Sequence, residues 1–257
     1  MAVVAEGQHW YYPDGRPCYE VPYADPSKGM RPATIADARK IGLVPGYTKI
    51  AEVRARPGLD KWKLQQLLMS ALTLPRHEGE YDDEYAERVI QDAGEQSRKA
   101  RDQGKALHAA VERYAKGEEM DIEFARHITA LNESLELYGI DLRDGETETA
   151  FASPLGYGGR VDWRYRTTVL DVKTKQALPD DKVKLVYDEH PMQLAAYAKG
   201  LGIKLNEARC LSVFIGITDA RVRIFEYTTE DINRGWLMFG ACLTLWQLQA
   251  NFGPYKK

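Results

Sequence analysis

The stretch Gly158-Gly159-Arg160-Val161-Asp162-Trp163 is followed, nine positions after Asp162, by an acidic residue in Leu170-Asp171-Val172-Lys173-Thr174-Lys175. Two carboxylates and an amine converge if these segments are paired strands. Positions i and i+2 of a strand share a face, and a hairpin return brings Asp162 alongside Asp171 and Lys173. Oxygen donors grouped in this way suit a hard divalent cation. Chance sets the weight of the pattern: with 18 Asp and 16 Lys in the chain, about one Asp-x-Lys is expected from composition. A second one, Asp180-Asp181-Lys182, follows Pro179 in a polar stretch without strand character. Asp171 instead lies in the apolar run Val169-Leu170-Asp171-Val172, where a charge needs a partner or an ion. Taken alone, the Asp171 and Lys173 pair reads equally as a plain salt bridge and as catalytic machinery.

Other residues accompany the pair. Glu148 precedes the Asp162 segment across a short turn at residues 154–156, with Glu146 two positions earlier as its rival. Gln193 and Tyr197 lie one turn apart on the next helical segment, and His108 closes Gly104-Lys105-Ala106-Leu107-His108 on an earlier one. Singly, a helical histidine is more often a hydrogen-bonded packing residue, and Gln and Tyr at helical spacing are ordinary packing. In order, the residues spell G-x-x-x-H, then E, then G-x-x-D, then D-x-K, then Q-x-x-x-Y. That series resembles the RecB-type branch of the PD-(D/E)XK nuclease superfamily, which includes phage exonucleases and the mitochondrial genome-maintenance exonuclease. The resemblance spans roughly residues 100–200. It extends more weakly to Pro45-Gly46-Tyr47-Thr48-Lys49-Ile50 and Leu59-Asp60-Lys61-Trp62, where phage members usually show Ser-Val-Thr in place of Gly46-Tyr47-Thr48.

The resemblance implies an α/β fold: a central mixed β-sheet flanked by helices, a restriction-endonuclease-like core, with an N-terminal helical region and an irregular arm. It implies metal-dependent hydrolysis of DNA phosphodiesters by an exonuclease acting on single-stranded or end-processed DNA, with Mg2+ or Mn2+ as cofactor. Asp162 and Asp171 would bind the ion, the Val172 carbonyl would complete the shell, and Lys173 would position or deprotonate the attacking water. Glu148 would hold a bound water or a second ion, His108 would lie near the metals, and Gln193 would contact the lysine or the DNA backbone. Tyr197, Arg160, Lys175, Lys49 and Trp62 are the candidate DNA contacts. The partners implied are DNA and a recombination or replication protein. A restriction-like or structure-specific endonuclease and a non-catalytic DNA-binding module on the same fold are the rival readings.

These residues need elements to carry them. Residues 146–152, 158–165 and 169–173 alternate with period two and read as consecutive strands, followed by a helix at 190–199, strands at 209–217 and 221–227, and an amphipathic helix at 229–250. Thr228 or Thr229 can cap that last helix, with Glu230 and Asp231 in its first turn. From Leu59 to about Tyr138 the period is helical. Leu64, Leu67, Leu68, Ala71 and Leu72 fall on one face, and Pro75 and Gly104 mark expected interruptions. Prolines crowd residues 1–57, which read as an irregular arm; Pro13-Asp14-Gly15 suits a hairpin between residues 9–12 and 19–23. Three segments result: a basic arm at 1–57, a helical region at 58–140, and a nuclease core at 141–257 that forms one compact unit with the helical region.

Composition excludes several classes. The 257 residues, 44% hydrophobic and 28% charged, suffice for a buried core, and 35 basic against 38 acidic residues leave no bulk charge that points to a polyanion or a membrane. Any basic surface is local. Residues 31–63 hold Arg31, Arg39, Lys40, Lys49, Arg54, Arg56, Lys61 and Lys63 against Asp37, Glu52 and Asp60, and residues 156–184 hold seven basic against four acidic residues. The first run also reads as a solvated face. Tyr47, Trp62 and Trp163 are candidates for stacking on bases, but for each singly a core position is the favoured reading, and Trp163 is assigned to the core. Three dispersed cysteines, Cys18, Cys210 and Cys242, imply no disulfide framework and no iron-sulfur cluster, and fit a reducing cytoplasmic setting. No targeting or membrane-spanning segment is expected.

Overall fold

Residues 9–55, 57–180 and 182–253 are described by the computed structural model of the chain. Arg56 of the basic arm and Asp181 of the second Asp-x-Lys lie outside the described residues. In chain order the elements are strands β1 (Trp10–Tyr11), β2 (Pro17–Cys18), β3 (Glu20–Pro22) and β4 (Met30–Pro32), helix α1 (Ile35–Ile41), strand β5 (Val44–Pro45), and helices α2 (Tyr47–Ala51), α3 (Pro57–Thr73), α4 (Asp82–Ala115) and α5 (Ala125–Glu136). Strands β6 (Glu146–Ser153), β7 (Tyr157–Tyr165) and β8 (Thr168–Lys175) follow, then α6 (Glu189–Gly200), β9 (Arg209–Gly216), β10 (Val222–Glu226) and α7 (Thr229–Gln249).

The main sheet is mixed and five-stranded, in the order β10-β9-β8-β7-β6. Only β8 and β9 run parallel; α6 makes the crossover that a parallel neighbour requires. Helices flank the sheet. Asp171 and Lys173 of β8 both reach Gln193 of α6, whereas the Trp163 indole of β7 donates to the Leu142 carbonyl just beyond α5, 2.7 Å away. Helix α7 packs on α6, where a Cβ on Gly235 would come within 2.6 Å of the Pro191 carbonyl, and it buries Ile232, Gly235, Phe239, Cys242 and Trp246 at three- to four-residue steps. Its N-terminus is set by a reciprocal cap: Thr228 Oγ1 accepts from the Asp231 N–H and Asp231 Oδ2 accepts from the Thr228 N–H, an arrangement worth about 1 kcal/mol.

The chain divides into two compact units, one of residues up to Arg54 with Ala110 onward, the other Ala55–Ala109. The N-terminal segment, expected as a separate arm, falls in the same unit as the sheet. It is also not irregular. Trp10 is fully buried against Trp246 and Phe252, β5 pairs with β1, and Gly46 bridges to Gly158 of β7. The hairpin turn forms around Gly15 at φ 89°, but its return strand is β2, while β3 pairs with β4.

In the second unit, the Tyr85 hydroxyl donates to the Ala71 and Leu74 carbonyls and Arg88 donates to the Pro75 carbonyl, tying the start of α4 to the end of α3. Gly104 does not interrupt α4. The leucine face of α3 is not buried: Leu64, Leu68 and Leu72 are exposed, and Ser70 is buried.

Candidate active site

The site begins where two strands part. The β7–β8 ladder runs from Tyr165↔Thr168 to Trp163↔Leu170, so the next residues on either strand are Asp162 and Asp171. Continued register would pair Val161 with Val172. Instead Asp162 Oδ2 accepts the Val172 N–H at 2.7 Å, and a side-chain carboxylate takes the place of a ladder carbonyl. Beyond this fork β8 remains paired only to β9, with Asp171 beside Ser212 and Lys173 beside Phe214. The N–H and C=O of one strand residue point to the same edge, so the Val172 carbonyl faces the fork together with the Asp162 carboxylate.

Asp171 is only 2% exposed and its charge is answered twice. Lys173 Nζ stands 2.8 Å from Oδ2, and Gln193 Nε2 donates to Oδ1 at 3.0 Å. The same amide accepts from Lys173 Nζ through Oε1 at 2.9 Å and donates to the Tyr197 hydroxyl at 2.9 Å. One glutamine on α6 thus fixes an acid, an amine and a phenol. Burial pulls the Lys173 ammonium down, but the Asp171 and Asp162 carboxylates outweigh it and its pKa is raised. Lys173 is a proton donor in this arrangement. Burial, reinforced by the same two carboxylates, holds the Tyr197 phenol well above its usual range, so it stays neutral.

A cleft of about 140 Å3 opens beside Asp162, lined by His9, Tyr11, Tyr47, Thr48, Arg160 and Tyr197. Two adjacent glycines let the rings of Tyr11 and Tyr197 close on β7. A Cβ on Gly158 would come within 2.6 Å of the Tyr11 ring, and one on Gly159 within 2.9 Å of the Tyr197 ring. Arg160 at the cleft forms an ion pair with Glu148, 2.6 Å away. Glu148 has a left-handed backbone, φ 51°, uncommon for a residue with a side chain. Burial raises its pKa, with Arg160 opposing and Asp162 adding to the rise. Glu146, its rival, is engaged by Arg164 at 2.9 Å.

Of the expected site residues, the structure gathers Asp162, Asp171, Val172, Lys173, Gln193 and Tyr197, with Arg160 and Glu148 next to them. His108 and Trp62 lie in the second compact unit. Lys175 is exposed at the end of β8. Lys49 lies with Nζ 5.1 Å from the centre of the buried Trp10 ring, and Tyr47 is buried in edge and stacking contacts with Tyr197 and Phe239. Much of the basic surplus of residues 31–63 has structural work. Arg31 pairs with Asp37, Arg54 with Glu189, and Arg39 donates to the Ala250 and Asn251 carbonyls.

Sequence reasoning missed His9, Tyr11 and His190. The first two come from the segment read as an arm; the Gly158-Gly159 pair inside a strand was the available signal, since it marks close approach of another chain segment. His190 accepts the Tyr187 N–H at Nδ1, 3.1 Å away, and packs its ring on Phe214. Burial, followed by the Lys173 charge, pushes its pKa down to about 4.

The donor set fits a small hard cation. Two carboxylates and a carbonyl are all oxygen ligands, and Mg2+ is characteristically held by one or two carboxylates, with water and substrate phosphate completing its shell. Among the described residues no third His, Cys, Asp or Glu joins Asp162 and Asp171 in a group of three, and Glu148 is turned to Arg160. Among the described residues, no helix is long and apolar enough to cross a membrane.

The chain is thus a mixed α/β protein with a carboxylate and lysine cluster at a strand fork. No family model matches it, and no curated protein does. Among solved structures, the crystal structure of SSO0001 is similar over 74% of this chain and 87% of that one, at 19% identity and a TM-score of 0.34.

Proposed function

We propose that this chain is a divalent-metal-dependent deoxyribonuclease with a restriction-endonuclease-like PD-(D/E)XK core, acting as an exonuclease on single-stranded or end-processed DNA. One observation carries the reading: Lys173 Nζ lies 2.8 Å from the buried Asp171, beside a fork held by the Asp162 carboxylate on the Val172 N–H. A static salt bridge needs no such fork.

Asp162, Asp171 and the Val172 carbonyl would hold Mg2+ or Mn2+. When bound, the ion supplies positive charge against the charge that builds on the phosphate and acidifies water. Lys173, kept protonated by its carboxylate neighbours, orients the attacking water or a phosphate oxygen by donating to it. Gln193 fixes the Lys173 and Asp171 positions against each other. Arg160, in the cleft, offers a cation to a neighbouring phosphate. The water oxygen joins phosphorus and gives up a proton to solvent, the P–O bond to the leaving nucleotide breaks, and the departing oxygen takes up a proton from solvent.

The test is incubation with 5'-labelled and 3'-labelled single and double strands and a circular control, in Mg2+, Mn2+ or EDTA. Progressive shortening of linear DNA with a metal, none in EDTA and an intact circle are expected. A cut circle favours the restriction-like or structure-specific endonuclease. Binding without cleavage under every condition leaves only the non-catalytic module.

A further inference from the structure

A second cavity, of about 500 Å3, lies among the segment between β8 and α6, strand β10 and the first turn of α7. Its lining combines cations and rings: Lys182, Lys184, Tyr187, Arg223 and Phe225. The wall is held in place. Leu178 and Leu185 are buried with Phe214, and Val186 and Phe225 pack against them; the Leu178 N–H is held by Asp219 Oδ2 at 3.1 Å. Tyr187 is half exposed, with Lys184 Nζ 5.6 Å from its ring centre.

Three acids share the rim, and each faces a partner of its own. Glu226 meets Arg209 at 2.9 Å, Asp231 closes the α7 cap, and Asp188 lies 3.6 Å from Arg234. The lysines and the aromatic faces therefore set the character of the groove. It also adjoins the catalytic cluster: the Tyr187 N–H bonds to His190, which stands three residues before Gln193 on α6.

We infer that this groove is a subsite for one unpaired nucleotide of the strand whose phosphate lies at Asp162 and Asp171, an inference that rests on the nuclease reading. The base stacks on Tyr187, and Lys182 and Lys184 meet the flanking phosphates. Stacking and backbone charge together form a sequence-tolerant contact with single strands.

The experiment measures binding of fluorescein-labelled dT12 in EDTA, where no metal-dependent cleavage occurs, by fluorescence anisotropy. Tyr187→Ala is expected to weaken binding about tenfold, and Tyr187→Phe, which keeps the ring, to stay within about twofold of the wild type. Lys182→Ala with Lys184→Ala is expected to reduce the slope of log affinity against log salt by about 1.4, two single-strand phosphate contacts. Thermal melting of each variant checks the fold. A wild type that cleaves DNA, with dT12 affinity unchanged in Tyr187→Ala and in the double lysine variant, overturns the subsite and leaves the nuclease standing. A wild type that binds dT12 through these residues yet cleaves nothing in Mg2+ or Mn2+ sustains the groove and removes the nuclease. Failure to bind dT12 at all overturns the subsite. So does an acidic peptide that occupies the groove without displacing dT12.

Discussion

Asp162 reaches across the fork between β7 and β8 and accepts the Val172 N–H at 2.7 Å, so the carboxylate that would hold a cation also fixes the strand that carries Asp171 and Lys173. Position and chemistry are coupled through one hydrogen bond.

Lys173→Ala is expected to lower cleavage by at least about a thousandfold, with DNA affinity changed by less than about threefold. The variant also leaves Asp171 buried beside no ammonium, at a cost of about 3 kcal/mol. Lys173→Gln keeps a donor for Asp171 without the charge, so a folded, binding and inactive Lys173→Gln protein isolates the catalytic role. Gel assays of cleavage beside urea melts make the measurement, and full activity in either variant removes Lys173 from the mechanism.

Gln193→Ala is expected to lower kcat about tenfold to a hundredfold while KM for DNA stays within about threefold, because the amide positions Lys173 and Asp171 and leaves binding to others. Stability should fall by about 1 to 3 kcal/mol from the loss of hydrogen bonds to charged groups. A rise in KM at constant kcat would assign Gln193 to DNA binding instead.

His190 makes stability depend on pH. Its folded pKa is pushed down to about 4 from an ordinary 6.5, so between these values the unfolded chain binds the extra proton and stability is lost as pH falls. Above pH 6.5 both states are neutral there and the contribution is complete. Between pH 7 and 4.5 the loss from this group is about 2 kcal/mol. His190→Asn, with an amide oxygen to accept the Tyr187 N–H, should abolish that part of the slope in urea titrations. Parallel wild-type and variant profiles would show that the imidazole is not responsible.

The sheet was legible in the sequence where a local pattern was strong. Strands β6 to β8 alternate with period two, and α7 announces itself by the Thr228 and Asp231 cap and its apolar stripe, so these elements match within a few residues. The short α1 and α2 were hidden, since seven and five residues are too few for a periodic signal and such helices depend on tertiary packing. Gly104 was read as a break, yet one glycine costs only about 1 kcal/mol in a helix interior, and α4 runs through it. The pairing of Asp171 with Lys173 was readable from i and i+2 spacing. The clasp of Asp162 on Val172, the turn of Glu148 toward Arg160, and the approach of Tyr11 to Gly158 depend on three-dimensional neighbours that no spacing rule contains.

Whether Asp162 and Asp171 hold a divalent cation is read out by calorimetric titration of Mn2+ into the metal-free protein. Asp162→Asn retains an oxygen to accept the Val172 N–H, so it removes charge from the fork while keeping the clasp. Saturable Mn2+ binding by the wild type is expected, weakened at least about tenfold in a folded Asp162→Asn protein. Equal Mn2+ affinity in the two proteins, or none in the wild type, would contradict it.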